Sequence, residues 1–523
     1  MIKHKKTSLS CFLALMILWS PSLHAQEKAK MADSFVESIG INVKLGYLDT
    51  PYAQFDSVKS KLTSAGIRYY REGLTSESEL LAKQESLADA GIKMVAIVHP
   101  DSYKSISSDV SVGINALLEG YNDVNKTIVA LEGPNETDIW PITYKGLAHP
   151  ESIIQYSKDF YNSVKTSKWS NLPVLAPSYS NPWNYSQIKS CYGDFNNIHP
   201  YQGARWPGNT EDGQSLPFYM NRVNVVVNAK PVWATETGNY TTNAPDKDHI
   251  WFTNVSEMVQ GKYMLRTYLT FFNGGIVKTF VHMLGDYYNN DSWCEARFGI
   301  CRSDWSPKPA YTGLKNLILL LQDQGADFET GTLNYKLFGQ TSDIKHTLLQ
   351  KRDGTFFLIL WREKSSWDYN AVKEIVNSTA SVKIKFAEKI TEASTFLPLI
   401  TETAGETFSA ADSLMLQVPD HPIVVKIKTG YIDPVGLTEP AEQLVHKLLV
   451  YPNPANDMLN IELYSKTSKQ SQLVVLDMAG KIKYTEKLSL QPGENMLKLV
   501  TGSFEQGVYL IKVDGFKQLF SIF

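Results

Sequence analysis

The stretch IVALEGPNETDIW, Ile128–Trp140, begins as an apolar run and ends in a polar cluster of Glu132, Asn135, Glu136 and Asp138, interrupted by Gly133 and Pro134. A short apolar run closed by Gly-Pro reads as a buried strand that stops abruptly. The same pattern recurs in SIGINVKL (Ser38–Leu45), GIRYYREG (Gly66–Gly73), GIKMVAIVHP (Gly91–Pro100), LPVLAPS (Leu172–Ser178), FNNIHPY (Phe195–Tyr201), KPVWATETG (Lys230–Gly238) and IVKTFVHML (Ile276–Leu284). Stretches with helical spacing lie between them, such as Ser152–Lys165, Pro217–Val227 and Asn254–Phe272. Strand–helix alternation implies parallel strands joined by right-handed crossovers. Eight such units in about 280 residues fit an α/β fold of the (β/α)8 TIM-barrel type. A doubly wound open sheet would place a Gly-rich phosphate loop after the first strand, and none follows Leu45.

The pattern changes beyond Gln322. HTLLQKRDGTFFLILWRE (His346–Glu363) reads as two strands around an Asp353-Gly354 turn, and ASVKIKF and IVVKIKT continue the alternation. The expected organisation is a signal peptide over 1–25, a barrel over 35–322, an antiparallel β-sandwich over 325–430, a linker over 431–446 and a small all-β unit over 447–523. The signal is read from Lys3, Lys5 and Lys6, the apolar core Leu9–Trp19 and the small residues leading to Ala25. That core is too short for a comfortable membrane span. No second long apolar run follows, so the mature chain is expected to have no transmembrane segment.

Net charge is −3 with no basic stripe, which argues against a nucleic-acid partner. The 11 Trp, 27 Tyr and 22 Phe serve a core, or supply platforms for the C–H faces of sugar rings. Cys191, Cys294 and Cys301 have no compact metal-ligand spacing, so neither a metal nor a cofactor is expected. Cys294 and Cys301, seven positions apart, could pair in an oxidising compartment.

In such a barrel, chemistry gathers where strands end at the C-terminal face. The second strand ends in Arg71 and Glu72, the third in His99, the fourth in Asn135 and Glu136, the sixth in His199 and Tyr201, the seventh in Glu236 and the eighth in His282. Glu136 and Glu236 should face each other across the mouth. Two carboxyls about 5–5.5 Å apart suit cleavage of a glycosidic bond with retention: one protonates the leaving oxygen, the other attacks the anomeric carbon. Asn135 can bond the sugar 2-OH. Tyr201, His199 or Arg71 can keep Glu236 ionised. Arg71 could instead be a buried partner of Glu72. Glu132 and Asp138 read as solvated or structural. Trp140, Trp183, Trp206 and Trp293 follow strands four, five, six and eight and could line a groove. Arg205, Arg297 and Arg302 are candidates for contacts with a charged substrate.

GPNE (Gly133–Glu136) and ATETG (Ala234–Gly238), with HPY (His199–Tyr201) between them and SPKPAYTGLKNL (Ser306–Leu317) after the eighth strand, resemble the "4/7" superfamily of retaining glycoside hydrolases, clan A. The arrangement is most similar to glycoside hydrolase family 39 and related endo-glycanases. The resemblance implies Glu136 as acid/base and Glu236 as nucleophile, and His99, His282, Trp140 and Trp293 join the substrate-binding candidates. FVHMLGD departs from the pattern: His282 and Met283 stand where relatives carry a stacking aromatic, so Tyr287, Tyr288 or Trp293 would have to supply one. VYPNPANDMLNIEL, LVVLDMAGK and FEQGVYLIKV resemble the C-terminal sorting domain of the type IX secretion system, which implies passage across the outer membrane and that machinery as a partner.

The expectation is therefore a secreted or surface-exposed retaining glycosidase that cleaves β-linked polysaccharide, with endo-action favoured. The alternatives are an exo-β-glycosidase of β-xylosidase type on oligosaccharides, and a non-catalytic glycan-binding barrel.

Overall fold

Eight short parallel strands carry the site: β1 (Ile39–Asn42), β2 (Tyr69–Gly73), β3 (Lys93–Ile97), β4 (Ile128–Glu132), β5 (Val174–Leu175), β6 (Asn196–Ile198), β7 (Val232–Thr237) and β8 (Ile276–Val281). In the computed structural model, which describes residues 25–241, 254–288, 294–430, 445–451, 455–465, 467–477, 481–513 and 516–522, they form one sheet in the order β5-β4-β3-β2-β1-β8-β7-β6. A parallel bridge between Leu175 and Phe195, with Ala176 N–H donating to the Phe195 carbonyl at 3.0 Å, joins the two ends and closes the barrel. All of the expected signal segment but Ala25, most of the expected linker and Trp293 lie outside the described residues.

The barrel interior is layered. Its apolar layer is Val95, Ala130, Leu175, Trp233 and Phe280, with Tyr69 and Phe195 packed against them. Trp233 and Phe280 stack with centroids 6.3 Å apart. Gly40 makes room for the Phe280 ring, because a Cβ there would lie 2.3 Å from it. The side chains of Arg71, Glu132 and Asn197 follow two positions after Tyr69, Ala130 and Phe195, so the two-residue period of a strand turns them inward as well, above the apolar layer.

The outer helices bury one stripe each. Glu151–Lys165 buries Ile153, Tyr156, Phe160 and Val164, a spacing of three and four residues that puts them on one face. Each fully buried side chain of this kind stabilises the fold by roughly 1.5–3 kcal/mol.

The sandwich uses both ends of the barrel's chain. One sheet runs Ala25–Lys28, Thr332–Gly339, Ala380–Phe386, Ser413–Val418. The other runs Thr407–Ser409, Ile390–Phe396, Ile423–Thr429, Phe356–Arg362, Ile344–Gln350, Lys30–Met31. Two edge strands thus come from the segment that precedes β1, and Lys30–Met31 pairs in parallel with Leu349–Gln350. The helix Glu257–Asn273 meets the sandwich through Lys262 Nζ on Asp420 at 3.0 Å and an Arg266–Glu363 ion pair. Barrel and sandwich form one compact unit ending at Thr429.

Residues 430–523 form a second unit. A three-stranded sheet (Val445–Tyr451, Met458–Ser465, Gly493–Val500) and a four-stranded sheet (Ile482–Leu490, Lys469–Asp477, Gly507–Val513, Phe516–Ile522) share a core that includes Leu459, Ile461, Leu463, Val475, Leu490, Ile511 and Val513.

Candidate active site

Arg71, at the mouth end of β2, has five N–H donors, and each has an acceptor. Nε and Nη2 reach the two oxygens of Glu132 at 2.7 Å each; Nη1 reaches Asn42 Oδ1 at 3.1 Å and Glu236 Oε1 at 2.5 Å; Nη2 also reaches Asn135 Oδ1 at 2.7 Å. Burial alone would lower the Arg71 pKa, but the charges of Glu132 and Glu236 outweigh it and hold the guanidinium above its usual range. The expected pairing of Arg71 with Glu72 is not what forms. Glu72 instead accepts the backbone N–H groups of Leu45 and Gly73. Glu132 is not solvated: it is fully buried and also accepts from Asn197 Nδ2 at 2.9 Å and Thr235 Oγ1 at 3.1 Å.

Thr235 and Glu236 are adjacent in β7, so a regular strand would turn them to opposite faces. Against β8 the pairing passes from Ala234↔Thr279 to Thr237↔Val281, three residues against two. This bulge re-aims the side chains, as bulges beside sites commonly do. Thr235 reaches into the polar layer while Glu236 enters the mouth. Glu236 accepts Arg71 on Oε1 and the Tyr201 hydroxyl on Oε2 at 2.7 Å. Burial would raise its pKa; the electrostatic influence of His199, Arg71, His282 and Lys44 outweighs this and holds it well below the usual carboxylate range. The Tyr201 hydroxyl, pushed far up by burial and by Glu236, stays protonated and donates.

Glu136 sits in the left-handed region, at φ 44°, on the turn that follows Gly133-Pro134. Ser178 Oγ accepts its backbone N–H at 3.0 Å. Its Oε1 lies 2.8 Å from His199 Nδ1, and His199 Nε2 lies 3.0 Å from Thr235 Oγ1. His199 Nδ1 is 3.8 Å from Glu236 Oε2, so His199 belongs to Glu136 and Tyr201 to Glu236. Glu136, His199 and Glu236 each place one atom within 4.8 Å of the others. A cation could span that gap. Both Glu236 oxygens are, however, already held by Arg71 and Tyr201, and the guanidinium supplies the positive charge there.

A search of curated proteins by sequence finds no match. Residues 449–520 match the family described as secretion system C-terminal sorting domain. The last unit is such a domain, and it marks the chain for export to the outer membrane or the cell surface. Among solved structures, a family 39 glycoside hydrolase from Bacteroides cellulosilyticus WH2 is similar at 16% identity and a TM-score of 0.55, over 76% of this chain and 82% of that one. A family 39 enzyme from Xanthomonas axonopodis pv. citri (13% identity, 77% and 96% covered, TM-score 0.49) and a monomeric beta-xylosidase from Caulobacter crescentus CB15 (14%, 77% and 98%, 0.49) are also similar. The first of these likenesses establishes the fold: a TIM barrel.

The structure brings Arg71, Asn135, Glu136, His199, Tyr201, Glu236 and His282 together. His282 follows β8 and packs edge-on to Tyr201 and Phe298, at 6.3 and 5.3 Å between ring centroids. His99 stands apart: its Nδ1 accepts the Asp101 backbone N–H at 3.2 Å as the cap of a short helix. Trp140 is 67% exposed and Trp183 50% exposed on neighbouring loops, which Asp138 joins by accepting the N–H groups of Ser180 and Asn181. Trp206 is packed with Val255, Tyr263 and Trp367 rather than open to the mouth. Tyr287 is buried beside Tyr47 and Tyr52, whereas Tyr288 is partly exposed and donates to Asp49. The three arginines proposed for a charged substrate have other acidic neighbours: Arg205 pairs with Glu211, Arg302 with Glu257, and Arg297 faces Asp286 at 3.5 Å. Cys191, Cys294 and Cys301 are buried, and no disulfide joins Cys294 to Cys301. Asn42, Asn197, Thr235 and Glu132 are the members of the network that strand-end reading left out. Asn42 and Glu132 had a signal, as the last residues of β1 and β4. Asn197 and Thr235 sit one layer below the mouth.

Proposed function

We propose that this protein is an exported retaining glycoside hydrolase that cleaves β-linked polysaccharide internally. The observation that carries the reading is the approach of Glu136 and Glu236 to within 4.8 Å, with Glu236 held ionised. Retaining enzymes place their carboxyls about 5–5.5 Å apart, whereas inverting ones leave roughly 6.5–9.5 Å for a water.

Glu236 attacks the anomeric carbon as the bond to the leaving oxygen breaks, and that oxygen takes the proton from Glu136. Glu136 then removes a proton from water, whose oxygen displaces Glu236 from the sugar. Asn135 serves the same transition state. Its Oδ1 is fixed on Arg71, which can only donate, so its amide N–H groups are left to reach the sugar 2-OH.

Internal cleavage is supported by the rim. Trp140 and Trp183 follow β4 and β5, and the exposed Tyr47 and partly exposed Tyr288 follow β1 and β8. In an eight-stranded barrel these are opposite walls, so a chain crossing the Glu136–Glu236 pair meets aromatic faces on both sides.

The test is a polysaccharide panel read by reducing-end release, with Glu136→Ala and Glu236→Ala as controls and anomeric configuration followed by proton NMR. The expected result is oligosaccharide products that retain configuration, with both controls inactive. Inversion, or full activity in Glu236→Ala, would overturn the mechanism; monosaccharide products alone would overturn internal cleavage.

A further inference from the structure

We infer that Thr235 is a positioning residue for acid catalysis: it fixes the tautomer of His199 so that a transferable proton is held between His199 and Glu136. The inference rests on the reading of Glu136 as the acid.

The argument is a count of hydrogens. Thr235 Oγ1 has three neighbours: Asn197 Oδ1 at 2.7 Å, Glu132 Oε1 at 3.1 Å and His199 Nε2 at 3.0 Å. The orientation of Asn197 is set because its Nδ2 donates to the Glu132 carboxylate at 2.9 Å, which leaves its oxygen facing Thr235. Glu132 is in turn held as a carboxylate by the two-pronged contact with Arg71. Both oxygens beside the hydroxyl are therefore acceptors, and its single proton goes to one of them. Towards His199 the hydroxyl can only accept, so Nε2 carries a hydrogen.

The consequence appears at the other ring nitrogen. With Nε2–H fixed, a neutral His199 presents a bare lone pair at Nδ1, 2.8 Å from Glu136 Oε1. Two acceptors at that distance repel each other, so a proton is drawn between them. It can be written on Glu136, donating to a neutral ring, or on His199, donating to a carboxylate. In either form the pair holds the proton that the leaving oxygen takes. Without the Thr235 hydroxyl, the neutral ring can place its one hydrogen on Nδ1 and satisfy an ionised Glu136 with no additional proton. His199 is completely buried, so bulk water does not substitute for the lost partner.

The experiment compares kcat/KM on aryl β-glycosides of the sugar the panel selects, with 2,4-dinitrophenol and 4-methoxyphenol as leaving groups, for wild type, T235V, T235S and E136A. The first leaving group needs no acid and the second does. General acid assistance is worth roughly 10²–10⁴-fold, so E136A should lose about that much on the methoxyphenyl glycoside only. T235V should lose about tenfold or more there and be unchanged on the dinitrophenyl glycoside, and T235S should recover. Equal losses on both substrates in T235V, or none, would overturn the inference while leaving the selective defect of E136A intact. A missing defect in E136A would instead overturn the acid assignment. A second measurement needs no turnover. Two-dimensional NMR of ¹⁵N-histidine-labelled protein, with the His199 signals assigned by their loss in H199Q, should show hydrogen on Nε2 in wild type and on Nδ1 in T235V. A bare Nε2 in wild type would overturn the inference by itself.

Discussion

Arg71 and Glu132 face each other through two parallel hydrogen bonds of 2.7 Å, and neither side chain is more than 1% exposed. This pair, rather than either carboxylate at the mouth, is the foundation of the site. The three remaining donors of Arg71 hold Asn42, Asn135 and Glu236.

Removing Glu132 should therefore be costly to the fold. Breaking a buried pair from one side leaves a charge without its partner and typically costs about 3–5 kcal/mol. We predict a loss of that size for Glu132→Ala in denaturant unfolding, together with loss of activity as Arg71 loses its seat. A loss below 1 kcal/mol would contradict the buried pairing.

Tyr201→Phe should be folded but impaired. A hydrogen bond to a charged group is worth roughly 1.5–3 kcal/mol, which corresponds to about 10- to 160-fold in kcat/KM. The acid limb of the pH profile should also move to higher pH, because Glu236 loses a donor that favours its ionised form. An unmoved limb would argue against the Tyr201–Glu236 contact.

The pH dependence has a definite sign. Glu236 has a lower pKa in the folded chain than the roughly 4.3 of a free glutamate. Its ionised form thus adds stability that is present above about pH 4.3 and is lost only as pH falls through the lower folded value. The ascending limb of kcat/KM should lie below the free value for the same reason. The stability difference between wild type and Glu236→Gln should shrink as the pH falls through that window. A limb well above pH 5 would exclude Glu236 as the nucleophile held by Arg71.

The rim tryptophans should matter for chains and not for small glycosides. An aromatic contact is worth roughly 0.5–1.5 kcal/mol beyond its buried area. Trp140→Ala and Trp183→Ala should raise KM for polysaccharide by about 2- to 12-fold each and leave kcat/KM on an aryl glycoside unchanged. Equal effects on both substrates would place these side chains in packing.

Much of this molecule was legible along the chain. Eight apolar runs alternating with helical spacing specify parallel strands and crossovers, and Gly133-Pro134 marks where β4 ends. These are local signals, since the burial of a strand or of one helix face is written in its own residues. The mouth residues were legible because a barrel puts every strand end on one face, so Asn135, Glu136, His199, Tyr201, Glu236 and His282 could be gathered without coordinates.

What only the tertiary structure decided is which of them touch. Pairing inside the barrel joins residues far apart in the chain, Arg71 with Glu132 at 61 positions and with Glu236 at 165, and such partners leave no mark on sequence spacing. The bulge in β7 belongs to its register with β8, and it alone explains how the adjacent Thr235 and Glu236 both serve the site. The layer below the mouth was hidden for a related reason: along the chain a carboxylate such as Glu132 reads equally as solvated or structural until its cation is in view. Along the chain Glu136 is set apart by the Asn135 before it, whereas Glu132 ends an apolar run. In the fold, the two-residue period of β4 sends Glu132 down to Arg71, and the left-handed turn at Glu136 sends that carboxylate across to His199.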